Sequence, residues 1–109
     1  MGLTFKENVS DIRNTKVVDL IRELMSYSIN VHITDPYASP NEVAHEYGLN
    51  MADQISENYD AVIVAVKHEE YLNKTASYFK EIMNGDPILF DLKGIYPNSF
   101  KDQFIYWRL

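Results

Sequence analysis

The chain has 109 residues, 46% of them hydrophobic and 24% charged, with four Gly and four Pro. That is the composition of one globular domain, and it excludes disorder, collagen-like repeats and a two-domain nucleotide-dependent enzyme. Ten Lys and Arg against sixteen Asp and Glu give a net charge of −6, which argues against a nucleic-acid partner because phosphate contacts need clustered cations.

In chain order, Gly2 to Phe5 reads as the end of a strand that enters a polar stretch, Lys6 to Asn14. Val17, Ile21 and Leu24 then recur at three- and four-residue steps, with Arg22 and Glu23 opposite, and predict an amphipathic helix from Thr15 to about Tyr27. Asn30 to Thr34 alternates as a strand and stops at Asp35-Pro36. A weaker helix is expected over Ser39 to Tyr47, with Pro40 in its first turn and Gly48 as its stop, followed by a second weak helical stretch around Ala52 to Glu57. Ala61 to Val66 is an unbroken apolar run, the pattern of a central strand covered on both faces. Leu72, Ala76, Phe79 and Met83 share one face of a helix over Tyr71 to Met83, Asn84-Gly85 ends it, and Pro87 to Asp91 is the next strand. The aromatic tail, Phe100, Phe104, Tyr106 and Trp107, reads as packing.

Strands separated by helices of this length make βαβ units. The expected fold is therefore α/β, a Rossmann-like three-layer sandwich with a mainly parallel sheet of four to five strands and helices on both faces. Ligands of such sheets sit beyond the carboxyl ends of the strands, which selects Lys6 to Arg13, Asp35 to Tyr37, Lys67 to Glu70 and Lys93 to Tyr96. The first βα loop lacks the glycine triplet of a dinucleotide site. Asp35 imitates a ribose-binding acid but reads more simply as turn chemistry. Lys6, Asn8, Asp11 and Arg13 suit either a phosphate or the ordering of their own loop. Lys93 should project into the same crevice as Lys6, as an anion contact or as a solvated lysine. His68-Glu69-Glu70 offers acid/base groups, yet also fits the electrostatics of a helix start. His32, His45 and His68 have no metal-ligand spacing, so no metal is expected. Without cysteine there is no disulfide or thiol nucleophile. The N-terminus carries no leader-like apolar segment and no run reaches the roughly 20 residues of a membrane span, so a cytoplasmic protein with no membrane partner is expected.

Read as one string, GLTFKENVSDIRNTKVVDLIRELM followed by VHITDPY resembles the opening of the C-terminal, UDP-binding domain of the UDP-glucose/GDP-mannose dehydrogenase family. Gly2, Phe5, Lys6, Asn8, Asp11, Arg13, Asp35, Pro36, His68, Asp91, Lys93 and Gly94 follow the family's pattern in order, and the ending looks most like the branch acting on UDP-N-acetylhexosamines for capsule or O-antigen precursors. The resemblance implies an NAD-dependent oxidation of a sugar C6 hydroxyl to a carboxylate through a catalytic cysteine. It implies that residues 1–109 are a single UDP-sugar-binding domain, with the NAD-binding and central dimerisation domains elsewhere in a longer chain that forms a homodimer or higher oligomer. This domain would then hold no catalytic residue and no NAD. Phe5, Lys6 and Lys93 would bind substrate, with Lys6 near the diphosphate, while Asn8, Asp11 and Arg13 would order the site. A free-standing receiver-like signalling or interaction module is the alternative reading; it would need an acidic cluster at a central strand end, where this chain has Lys67-His68.

Overall fold

The computed structural model describes residues 1–109. In chain order it contains α1 (Val17–Ser26), α2 (Pro40–Tyr47), β1 (Tyr59–Val64), α3 (Glu69–Leu72), α4 (Ala76–Ile82), β2 (Met83–Asp91), a 3-10 helix (Asn98–Asp102) and β3 (Ile105–Arg108). The sheet is parallel, in the order β1-β2-β3, with Val62 opposite Leu89 and Leu89 opposite Tyr106. The expected α/β class holds. No helix is long and apolar enough to cross a membrane.

The sheet has three strands rather than four to five. Met1 lies beside the end of β1 and residue 34 beside Gly2, but they make only a few bonds: Met1 N donates to the Ile63 carbonyl (2.7 Å), Ala65 N–H to the Met1 carbonyl (2.9 Å) and Gly2 N–H to the Thr34 carbonyl (2.8 Å). A ladder needs such bonds in regular succession, and Gly2, at φ +93°, leaves the extended region that would continue one. Ala52 to Glu57 forms no helix. The single helix expected from Tyr71 to Met83 is broken at residues 73–75, where Thr75 accepts the Tyr78 N–H on its side-chain oxygen (3.2 Å) and starts α4 afresh. Leu72 is consequently exposed, whereas Phe79 is fully buried.

Two apolar cores result. One joins Val62, Val64 and Leu89 on one sheet face to Tyr71, Phe79, Tyr96, Phe100 and Phe104. Within it Tyr96 stacks on Phe100 at 5.0 Å and meets Phe79 edge-on at 5.3 Å; of the aromatic tail Phe100, Phe104 and Tyr106 pack here, whereas Trp107, expected to pack as well, is exposed. The other gathers Leu3, Ile12, Val18, Ile21, Ile33, Val43 and Leu49 around α1 and α2. Helix α2 carries the expected Pro40 in its first turn and Gly48 stop, at φ +67°, and Ser39 caps its start by accepting the Glu42 N–H. The opposite face of the sheet, with Ala61, Ile63, Ile88, Phe90, Ile105 and Trp107, is half-buried to exposed. Helical cover on both faces is thus not found along β1 to β3.

Candidate functional site

Three backbone segments converge beyond the carboxyl end of β1. The first is the loop after Gly2. A Cβ on Gly2 would lie 2.7 Å from the Val66 Cβ and 2.8 Å from the Val66 N, so only glycine lets this turn press against the end of β1. The loop then closes on itself, with Phe5 N–H donating to the Asp11 carbonyl (2.7 Å). Arg13 forks onto Asp11, Nε to Oδ1 at 3.1 Å and Nη2 to Oδ2 at 3.2 Å. That guanidinium holds the Asp11 carboxyl below its ordinary range. Arg13 is thereby occupied within its own loop.

The second segment follows β2. Asp91 is fully buried and accepts the N–H groups of Ile95 and Tyr96, each at 3.0 Å, together with the Tyr106 hydroxyl. Arg108 on β3 donates to the Gly94 carbonyl (2.7 Å) and to Asn98 Oδ1 (2.9 Å). The turn bearing Lys93 is therefore fastened from two strands. The third segment is the start of α1, where Lys16 stands at the N-cap without a cap bond of its own and the Thr15 hydroxyl accepts the Val17 N–H (3.3 Å).

Lys6, Lys16 and Lys93 all line one crevice of about 190 Å³, with Thr4, Phe5 and Val66 on its walls and Glu7 as the one acid. Phe5 and Lys16 also border an adjoining hollow of about 770 Å³ that runs past Arg22 and Tyr47. The sequence reading brings Lys6 and Lys93 together correctly in space but misses Lys16. The available signal was electrostatic: a helix start attracts acids, as Asp19 in this first turn shows, and a lysine beside it opposes the dipole. Arg108, whose partners lie ten and fourteen residues away, carried no local signal.

Asp35 and His68 lie behind the first loop. Asp35 accepts Leu3 N–H (2.6 Å) and Thr4 N–H (3.1 Å) on one oxygen, and Tyr37 N–H (2.8 Å) and Ala38 N–H (3.2 Å) on the other. The second pair is the turn chemistry expected of Asp-Pro. Burial pushes its carboxyl up, but the bonds from Leu3, Tyr37, His68 and Thr4 outweigh burial and hold it below the usual range. Tyr37 caps this cluster from outside, its phenol pushed up to about 12 by its hydrogen bond to Glu70.

These bonds also occupy N–H groups of the first loop. In a dinucleotide site the first-turn N–H groups face a pyrophosphate; here those of Leu3 and Thr4 go to Asp35, that of Phe5 to Asp11 and that of Asn8 to His68. What the three ammonium groups can do is hold a compact anion in an open crevice.

Residues 1–98 match the model of the UDP-glucose/GDP-mannose dehydrogenase family, UDP binding domain. The chain is 46% identical over 94 residues to a UDP-N-acetyl-D-glucosamine 6-dehydrogenase of Pseudomonas aeruginosa, covering 85% of this chain and 22% of that protein. It is 39% identical over 103 residues to the enzyme of the same name from Salmonella typhi, covering 94% of this chain and 24% of that protein. The solved structure of the UDP-N-acetyl-mannosamine dehydrogenase Cap5O from S. aureus superposes with a TM-score of 0.74 at 25% identity, over 98% of this chain and 24% of that one. The chain thus spans less than a quarter of each relative's length.

Proposed function

The chain belongs to the UDP-glucose/GDP-mannose dehydrogenase family, as its UDP binding domain, and on that premise we propose that it holds the UDP moiety of a UDP-sugar for a 6-dehydrogenase. The sugar would be a UDP-N-acetylhexosamine, the class named in the relatives, oxidised at C6 to a carboxylate for a capsule or other surface polysaccharide in the cytoplasm. NAD takes the hydrides in such a reaction; its binding site and the nucleophile would belong to other domains of a longer, oligomeric enzyme. Family membership leaves the receiver-like alternative without support.

The observation that carries this reading is the convergence of Lys6, Lys16 and Lys93 on one crevice. A diphosphate presents several acceptor oxygens, and three flexible ammonium groups can each supply a charge-assisted bond. Phe5, 56% exposed at the crevice wall, offers an apolar face to the rest of the nucleotide. Asn8, Asp11 and Arg13 act by fixing the loop.

Calorimetric titration of the chain with UDP tests the proposal. Expected is weak binding, high micromolar to millimolar or about 4 kcal/mol, which falls with added salt because the cations are exposed. It should vanish when Lys6 and Lys93 are both replaced by alanine. Binding that survives the double replacement, or no binding at all, would overturn the site. Tight, salt-insensitive binding would show that the chain forms a whole pocket rather than one wall of one.

A further inference from the structure

The imidazole of His68 is fully buried, between the rings of Tyr37 at 4.7 Å and Tyr71 at 5.5 Å, yet both of its nitrogens are engaged. Nδ1 accepts the backbone N–H of Asn8 at 2.9 Å. Nε2 lies 2.8 Å from Asp35 Oδ2 and 3.1 Å from Thr4 Oγ1. An accepting Nδ1 places the proton on Nε2, so the ring is the neutral tautomer that donates toward Asp35. Asn8 answers from its side chain, where Oδ1 accepts the Glu69 N–H at 2.8 Å. Asn8 also stands at φ +59°, a conformation that costs a non-glycine residue free energy and persists where surrounding bonds impose it.

Thr4 and Asn8 bracket Phe5, Lys6 and Glu7: the ring holds the Asn8 end directly, and at the other end its Nε2–H is shared between Asp35, which accepts the Thr4 N–H, and the Thr4 hydroxyl, which donates to the Lys6 carbonyl (3.0 Å). We propose that His68 is a positioning residue for the diphosphate site, acting through Lys6 by fixing the backbone from Thr4 to Asn8. The inference rests on the proposed UDP-binding function. It gives Asp35 a role as well, because the carboxylate orients the ring from the far side, as a second partner orients a histidine in many sites.

The test is a double-mutant cycle in the full-length enzyme that carries this domain, reading inhibition by UDP together with KM and kcat for the UDP-sugar. His68→Gln retains an amide donor at the Nε2 position toward Asp35 but has no acceptor at the Nδ1 position that serves Asn8; His68→Leu removes both and is the harsher variant for folding. Expected for His68→Gln is a roughly tenfold loss of UDP affinity, expressed in KM with kcat nearly unchanged. On a Lys6→Ala background the same change should cost little, because the cation it positions is already gone. Losses that simply multiply would overturn the positioning role, whereas a Lys6→Ala enzyme with unaltered UDP affinity would overturn the binding site itself. A measurement that needs no variant is amide hydrogen exchange. The Asn8 N–H, on an exposed residue, should exchange slowly, and rapid exchange would sink the proposal.

Discussion

Gly2 has no room for a side chain and no backbone conformation that suits one: its φ is +93°, and an added Cβ would meet Val66 at under 3 Å. Gly2→Ala should therefore lower stability by about 2–4 kcal/mol, from left-handed strain plus overpacking, measured as a drop in the urea midpoint. The crevice lysines bear on binding instead. Lys6→Ala or Lys93→Ala in the full-length enzyme should weaken UDP-sugar binding roughly ten- to a hundredfold while leaving the unfolding midpoint unchanged. Lys16→Ala should weaken it less, since the vacated helix start still offers its N–H groups to an anion. Lys93→Arg should preserve binding within a few-fold, because charge is kept and a fork is gained. Lys6 and Lys93 were legible from their places after strands. Lys16 was not, because it precedes a helix rather than following a strand, and only folding brings it to the same crevice.

Helix α4 and the turn after β2 show what local chemistry controls at the scale of elements. Thr75 caps α4, and its loss in Thr75→Ala should cost about 1 kcal/mol of stability. Phe79→Ala in the same helix should cost about 3–5 kcal/mol, as it empties the centre of the aromatic core. The break before α4 escaped the sequence reading because Leu72, Ala76, Phe79 and Met83 keep a helical period straight through it. Periodicity reports a shared apolar face and not the continuity of the backbone that carries it. The turn after β2 depends on Asp91. Asp91→Ala would leave two N–H groups and the Tyr106 hydroxyl without their acceptor, and should cost at least about 3 kcal/mol. Thermal unfolding checks all three variants.

At the scale of the molecule, stability should be bounded on both sides of neutrality. The folded-state pKa of Asp35 lies below its unfolded value near 3.9. Its contribution is therefore complete above that value and disappears as pH falls through the folded pKa. Tyr71 and Tyr96 are raised, first by burial and then by neighbouring negative charge. The unfolded chain ionises its tyrosines near pH 10 while the folded chain resists, so stability should fall as pH rises beyond about 10. Urea midpoints across pH should trace a plateau with a fall on each side, and phenolate absorbance should rise together with alkaline unfolding. A Tyr71 that titrates freely before unfolding would contradict the buried hydroxyl.

The amino-acid sequence by itself determined the α/β class, the helices α1 and α2 with the Pro40 and Gly48 signals that bound α2, the place of a strand at β1 and the family, but not that β1 ends the strand order with Ala61 exposed on its open face. Each feature it did determine rests on chemistry confined to a few neighbouring residues or on motifs read in order. Tertiary structure alone decided that the sheet has three strands, since one residue at φ +93° and a few isolated bonds separate an extended neighbour from a ladder. It also decided that the sheet lacks helical cover on one face, and that Asp35 and His68, weighed separately in the sequence, form one buried pair 33 positions apart in the chain. Spacing along a chain reports periodicity and turns, whereas burial and long-range hydrogen bonds depend on which segments come to lie against one another.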